Sequence, residues 1–204
     1  MEAQDASIAA LSSSRVLGLA SLNFLFTISH RFSMGFRSGE LAGQLSTVIP
    51  WSVKSVMVWG AMSSAGVGPL CFLRSKVNAA VYQEVLEHFM LPAADQLYGD
   101  ADFIFQQDLA PAHSAKATST WFKDHGIPVL NWPANSPDLK PIENLWSIVN
   151  RKMRYARPKN AEELKATIRA TWALITPEQC HRLLDSMPRR IAAVIQPKGA
   201  PTKY

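Results

Sequence analysis

The chain is poor in the residues that build disulfide frameworks, cysteine-ligated metal sites and membrane spans. It has two cysteines in 204 residues, Cys71 and Cys180, and neither lies in a cluster with other cysteines or histidines. A zinc-finger arrangement and a disulfide-stabilised secreted fold are therefore excluded. Both cysteines are expected to be buried in the fold as free thiols, in a protein of a reducing compartment. The mostly apolar stretch from Val16 to Ile28 is shorter than the roughly 20 residues that span a bilayer. We expect no association with a membrane.

Charged residues are also scarce, at 18% of the chain, and they are unevenly distributed. Residues 1–150 hold twelve acidic and nine basic side chains, whereas residues 151–204 hold four acidic and twelve basic ones. With 48% hydrophobic residues the composition is that of a globular domain. A basic C-terminal segment suits a phosphate-backbone partner, although a solvated helix face would give the same count.

The pattern of apolar residues predicts an α/β domain over residues 16–204, preceded by a disordered Ala/Ser-rich tail at 1–15. Strands are predicted at 22–28, 53–63, 70–73, 102–107 and 127–130, with a turn at 66–69. Helices are predicted at 78–98, 114–125 and from 142 onward, with further helix starts at Asn160 and Thr176. Strands first, then alternating helices and strands, indicate a mixed sheet with helices on its faces.

Two carboxylates stand out in this pattern because of their local sequences. Asp108 ends the apolar stretch Phe103–Gln107, and Glu143 lies near the start of an amphipathic helix. Such a pair can hold divalent metal ions for phosphoryl transfer. The alternatives are ordinary ones: Asp108 can serve as a turn residue, and Glu143 as a first-turn acid stabilised by the helix dipole.

Three motifs resemble the catalytic domain of mariner-superfamily transposases. They are the hairpin SVMVWGAMSSAGVGPL, the segment FQQDLAPAH and the loop NWPANSPDLKPIENLW, and the similarity runs from about Val53 to Tyr204. The resemblance implies a ribonuclease-H-like sheet flanked by helices, with a helical basic C-terminal segment. It also implies a DDE endonuclease of DNA transposition and integration, in which three carboxylates hold two Mg²⁺ or Mn²⁺ ions. Asp108 then corresponds to the second carboxylate and Glu143 to the third.

Further roles follow from the same resemblance. DNA is the expected partner, the nucleus the expected location, and a homodimer one expected assembly. His113 can contact a phosphate or a group behind a metal ligand. The side chains that we expect to contact DNA are His113, Lys140, Arg151, Lys152, Arg189 and Arg190.

The sequence departs from the family where the first aspartate is expected. Aligned on Phe26 and Phe32, Ile28 occupies that position, and an isoleucine cannot bind a metal. No upstream acid follows a strand in the required way. Leu109 and Lys140 stand where the family usually has asparagine, and the modules that recognise transposon ends are expected to be missing. The metal site, and with it catalysis, is therefore expected to be impaired.

Two other interpretations remain open. The chain can be a non-catalytic nucleic-acid-binding fragment of a domesticated transposon, which keeps the fold and the basic C-terminal segment. It can also be a product that folds poorly, because the context of its first strand is damaged. Salt-sensitive DNA binding that is unaffected by Asp108→Asn would favour the first, and a cooperative thermal transition would argue against the second.

Overall fold

A four-stranded mixed sheet forms the centre of the molecule. The computed structural model describes residues 24–33, 55–74, 76–108, 110–130 and 139–195, with the backbone alone for 24–33 and 194–195. The strands are β1 (Phe24–Ser33), β2 (Ser55–Ser63), β3 (Gly66–Leu73) and β4 (Ile104–Gln106). Their order is β3-β2-β1-β4; the first three form an antiparallel meander, and β4 is parallel to β1. The predicted α/β class is confirmed.

Helices connect and cover the strands. They are α1 (Ala79–Val85), a π-helical segment (Leu86–Met90), α2 (Leu91–Tyr98), α3 (Lys116–Asp124), α4 (Pro141–Ala156), α5 (Ala161–Ala173), α6 (Pro177–Asp185) and α7 (Met187–Ile195). The first three connect β3 to β4, which lie at opposite edges of the sheet. Within the described part of the chain, no helix is long and apolar enough to cross a membrane.

The sheet separates two hydrophobic cores, because β2 is buried on both faces. Val58 and Met62 pack into the core built by α4, α5 and α6, whereas Trp59 and Ala61 pack into the core built by α1 and α3. This alternation is the two-residue period of a strand. It explains why β2 is an almost continuous apolar run rather than an alternating one.

Gly60 brings helix α4 close to the sheet. A Cβ atom at this position would lie 3.0 Å from the indole ring of Trp146, which is fully buried in α4. The same indole stacks on Trp172 of α5, with ring centroids 4.6 Å apart. The helix that carries Glu143 is therefore fixed to the sheet by aromatic packing.

Some predicted boundaries were wrong for identifiable reasons. The turn expected at 66–69 lies at Ser64 and Ala65, and Gly66 already belongs to β3. The helix expected at 114–125 begins two residues later, at Lys116. The strand expected at 127–130 is reduced to one bridge, Phe105 to Val129, beside a proline that has no N–H to extend the ladder. The tail at 1–15 lies outside the described residues.

Helix α5 begins at the predicted cap. The side chain of Asn160 accepts a hydrogen bond from the backbone N–H of Glu163 at 2.8 Å. The Glu163 carboxylate in turn accepts a hydrogen bond from the backbone N–H of Lys159. We expect Asn160→Ala to lower the free energy of unfolding by about 1 kcal/mol, because an exposed helix end loses its acceptor. Urea denaturation measures this. Lys159→Ala is the control, since it keeps the backbone bond; equal losses in both variants would contradict the capping role.

Candidate active site

Asp108 lies two residues beyond the end of β4, at the carboxyl edge of the sheet. Its Oδ1 accepts a hydrogen bond from Ala110 N at 3.1 Å and lies 2.5 Å from His113 Nδ1. The Ala110 carbonyl in turn accepts the backbone N–H groups of His113 and Ser114. The turn interpretation and the ligand interpretation of Asp108 are thus compatible, because the turn uses one oxygen.

The residues behind Asp108 form a buried polar cluster. His113 is 3% exposed, and its ring stacks on Tyr82 with centroids 3.8 Å apart. The Tyr82 hydroxyl donates to Gln107 Oε1 at 2.7 Å, and Gln107 Nε2 donates to the His113 carbonyl at 3.3 Å. The direct phosphate contact that the sequence suggested for His113 is therefore excluded by burial, and its other suggested role, behind a metal ligand, agrees with the geometry.

Glu143 lies in the first turn of α4, three residues after Lys140. Pro141 occupies the first turn of the helix, where its fixed φ is favourable and its missing N–H costs nothing. The backbone N–H of Glu143 donates to the Lys140 carbonyl at 3.0 Å. The Glu143 side chain is half-buried, and no described residue forms a hydrogen bond with its carboxylate.

The charges of Asp108 and Glu143 affect each other. Burial acts to raise the pKa of Asp108, but the hydrogen bond from His113, with smaller contributions from Ala110 and Lys140, outweighs it and holds that pKa below its ordinary value. Burial raises the pKa of Glu143; Lys140 opposes this rise and the negative charge of Asp108 adds to it. The fold therefore brings the two predicted carboxylates into one site, with the Lys140 ammonium near both.

Position 28 and Asp108 each lie two residues beyond the last pair of strands β1 and β4. That pair joins Phe26 to Gln106, and because the two strands are parallel, their continuation leads toward Ile28 and Asp108. On its other side Ile28 pairs with Gly60. Among the residues described with side chains, no group of three or more His, Cys, Asp and Glu is arranged to hold a metal ion. The described site thus offers two carboxylates.

The predicted DNA-contacting cations lie in different environments. Arg151 and Lys152 are exposed on α4, and Arg189 is exposed on α7. Arg190 is 3% exposed: its Nε donates to Ser186 Oγ at 2.7 Å and its Nη2 to Asn144 Oδ1 at 3.0 Å. The suggestion of a surface contact for Arg190 was wrong, because this side chain ties α7 to the residue after Glu143.

The sequence did not reveal Tyr82 and Gln107 as members of the site. Gln107 lies within the motif that identified Asp108, so its position beside the aspartate was the available signal. Tyr82 lies on α1, in a helical stripe that reads as core packing. Nothing in its local sequence points to a residue 31 positions further along the chain, and only the packing of α1 on the sheet brings the two rings together.

The strand order, the carboxylate after β4 and the second carboxylate on α4 define a ribonuclease-H-like domain with a candidate nuclease site. Residues 47–165 match the model of the family described as DDE superfamily endonuclease, and the chain belongs to this family. It is similar to transposases of the mariner and Tc1 type. The catalytic domain of Mos1 mariner transposase superposes with a TM-score of 0.72 at 20% identity, covering 99% of this chain and 93% of that one. The predicted ribonuclease-H-like fold is confirmed.

Transposases of nematodes are similar in sequence. The Tcb2 transposase of Caenorhabditis briggsae is 43% identical over 150 residues, which are 74% of this chain and 55% of that protein. The Tc1 transposase of Caenorhabditis elegans is 40% identical over 150 residues, with the same coverage. The chain thus spans about half the length of these relatives. Solved structures of similar fold include the Mos1 mariner paired end complex with Mn, at a TM-score of 0.73 and 18% identity over 99% of this chain and 62% of that one.

The raised pKa of Glu143 predicts how metal-free stability depends on pH. A carboxyl whose pKa is raised by folding binds its proton more readily in the folded state, so stability falls as pH rises through that window. We expect Glu143→Gln to raise Tm at pH 7 in EDTA, and the gain to disappear at about pH 3, below the pKa of the carboxyl in both states. Thermal scans test this, with exposed Glu84→Gln as control. A gain that persists unchanged at low pH would contradict it.

Proposed function

We propose that this chain is the DNA-acting catalytic domain of a mariner-type transposase, whose strand-cleaving and strand-transferring chemistry is impaired at the first carboxylate. The observation that carries the proposal is the meeting of Asp108, at the end of β4, with Glu143, at the start of α4. Two half-buried carboxylates that repel each other form an oxygen-rich, negatively charged site. A divalent cation relieves that repulsion.

Mg²⁺ or Mn²⁺ is the cofactor that fits this donor set, held by Asp108 and Glu143. Hard cations of this kind prefer carboxylate oxygens, and Mg²⁺ is often bound by one or two carboxylates together with substrate phosphates. When bound, the metal supplies Lewis-acid activation of the attacking hydroxyl and stabilises charge on the phosphate. Several structures of similar fold are of Mos1 with Mn or Mg, which makes these the ions to test.

The chain's own residues position the reacting groups. Asp108 is fixed on the sheet edge by its hydrogen bonds, and Glu143 is fixed by the packing of α4 on Gly60. Lys140 keeps a positive charge next to both carboxylates, which reduces their repulsion of an incoming phosphodiester. Ile28 cannot add the third carboxylate, so we expect metal binding to be weaker than in a complete site.

We expect DNA binding to persist when catalysis is impaired, because it depends on exposed cations and not on the metal site. The exposed cations Arg151, Lys152 and Arg189 come after Glu143 in the sequence and belong to the basic C-terminal segment. Phosphate contacts of this kind bind without sequence preference and weaken steeply with salt. We propose nuclear location and a homodimeric assembly on the same grounds as DNA action; imaging of a tagged chain and light scattering with DNA test them.

The rival function is DNA binding without chemistry, and a nicking assay separates the two. The unmodified chain is incubated with supercoiled DNA and Mn²⁺ beside Asp108→Asn. Slow nicking that Asp108→Asn abolishes, with unchanged DNA affinity, supports an impaired nuclease. Nicking that survives Asp108→Asn would contradict the assigned site, since a metal ligand cannot be replaced by an amide without loss of rate.

A charge reversal on α4 tests the DNA surface. We expect Arg151→Glu combined with Lys152→Glu to weaken DNA binding by about tenfold or more at low salt, and to reduce the slope of log K against log salt by about 1 to 2. Fluorescence anisotropy over a salt series measures both. Lys123→Glu with Lys116→Glu on α3 makes the same change of charge elsewhere. Equal losses from both pairs would indicate that net charge, and not this surface, determines binding.

A further inference from the structure

The buried polar cluster behind Asp108 is a connected set of contacts among His113, Tyr82 and Gln107. The chain turns at residues 111–113, and the His113 ring lies against the Asp108 carboxylate, with Nδ1 2.5 Å from Oδ1. Tyr82 covers the face of that ring, and Gln107 connects the tyrosine hydroxyl to the His113 carbonyl. All three are buried, at 0%, 3% and 7% exposure for Tyr82, His113 and Gln107. The cost of burying so many polar groups is offset only where each finds a partner.

The hydrogen bonds to Asp108 involve only one of its two carboxylate oxygens among the described residues. Oδ1 receives both the Ala110 N–H and the His113 Nδ1, and no described residue forms a hydrogen bond with Oδ2. A carboxylate has no proton to give, so Nδ1 of His113 carries the proton and donates it. One oxygen is thereby held by the protein, and among the described residues nothing occupies the other.

We propose that His113 is a positioning residue for Asp108: the Tyr82-stacked imidazole fixes the carboxylate so that Oδ2 alone serves the metal. This inference rests on the proposed function, in which Asp108 binds Mn²⁺. Residues that orient a metal ligand change metal affinity by about 10- to 100-fold when they are replaced. His113 acts through Asp108 and does not touch the reacting atoms.

Two substitutions separate positioning from packing. His113→Phe keeps a buried aromatic ring against Tyr82 but removes the donor. His113→Asn removes the ring but can place an amide N–H where Nδ1 lies. Positioning predicts that Mn²⁺ affinity, measured by titration calorimetry, falls by about tenfold or more in His113→Phe and is partly kept in His113→Asn. A packing role predicts the opposite order. His125→Phe is the control, because His125 stacks on Trp121 with the same 25° tilt, away from Asp108. Thermal melts serve to check that each variant is folded.

A metal-free measurement distinguishes failure of this inference from failure of the proposed function. A proton shared between His113 and Asp108 gives a downfield NMR signal that Asp108→Asn and His113→Phe remove and Glu143→Gln leaves in place. If that signal is absent, or survives Asp108→Asn, the positioning role is wrong. If the NMR signal behaves as expected but Asp108→Asn leaves Mn²⁺ affinity unchanged, Asp108 does not bind the metal. The proposed role of Oδ2 as a metal ligand is then overturned. Equal Mn²⁺ affinity in the unmodified chain and His113→Phe also overturns it.

Discussion

Ile28→Asp is expected to raise Mn²⁺-dependent nicking of supercoiled DNA by about a thousandfold or more, which corresponds to about 4 kcal/mol of transition-state stabilisation. The reason is the register of the sheet. Position 28 and Asp108 each lie two residues beyond the last pair of the parallel strands β1 and β4, and position 28 pairs with Gly60, against which α4 packs. A new carboxylate there would join Asp108 and Glu143 in one site.

Stability gives a second measure of the same change. Without metal, a third carboxylate adds repulsion and lowers Tm; with Mn²⁺, binding to the folded state alone raises Tm in proportion to the logarithm of metal concentration. We therefore expect the rise in Tm between EDTA and Mn²⁺ to be larger in Ile28→Asp than in the unmodified chain. Differential scanning fluorimetry over a Mn²⁺ series measures this rise without any DNA.

The control for charge is Ile28→Asn, which has the shape of aspartate but no negative charge. It is expected to gain neither nicking nor Mn²⁺-dependent stability. Adding Asp108→Asn to Ile28→Asp should remove the gained activity. If the unmodified chain already nicks at full rate and loses that rate when Glu40, an acid between β1 and β2 in the sequence, is replaced by glutamine, the third ligand comes from elsewhere and the impairment assigned to Ile28 is wrong. If Ile28→Asp folds, binds DNA and remains inactive, the binding-only interpretation is favoured.

Short-range pattern was sufficient to predict the elements that hold the site. The stripe Ile142, Leu145, Trp146 and Val149 of α4 is fully buried, and the apolar run of β2 is buried except at half-buried Met57, because their periods match the structures that they form. The caps at Asn160 and Thr176 were predictable for the same reason: a cap is a contact between residues three positions apart. Asp108 and Glu143 were identified from their motifs.

Long-range side-chain contacts were not predictable from one sequence. The stacking of Tyr82 on His113 and the bond from Arg190 to Asn144 each join residues more than 30 positions apart. The sequence suggests a DNA contact for Arg190, but its spacing of four from Ser186 puts the guanidinium on the inner face of α7. The bond from Trp172 Nε1 to the Gly68 carbonyl likewise joins distant parts of the chain.

Trp146→Ala is expected to lower the free energy of unfolding by about 3–5 kcal/mol, the largest loss of stability that we expect from a single substitution here. The indole is fully buried between Gly60 of β2 and the Trp172 ring of α5, so its removal leaves a cavity between the sheet and two helices. Urea denaturation measures the loss. Trp121→Ala is the matched control: it is half-buried on α3, and we expect a clearly smaller effect.

The cavity can be refilled from the opposite side, which makes the prediction specific to this contact. Gly60→Val alone should destabilise the chain by about 1–3 kcal/mol, because its side chain would meet the indole of Trp146. Combined with Trp146→Ala, the same valine enters the vacated space. The double variant should therefore lose less stability than the sum of the two single-variant losses, by more than about 0.5 kcal/mol. Strict additivity would mean that Gly60 and Trp146 are not in contact in solution. In that case α4 is placed differently on the sheet, and Glu143 with it, so this cycle tests the geometry on which the metal site depends.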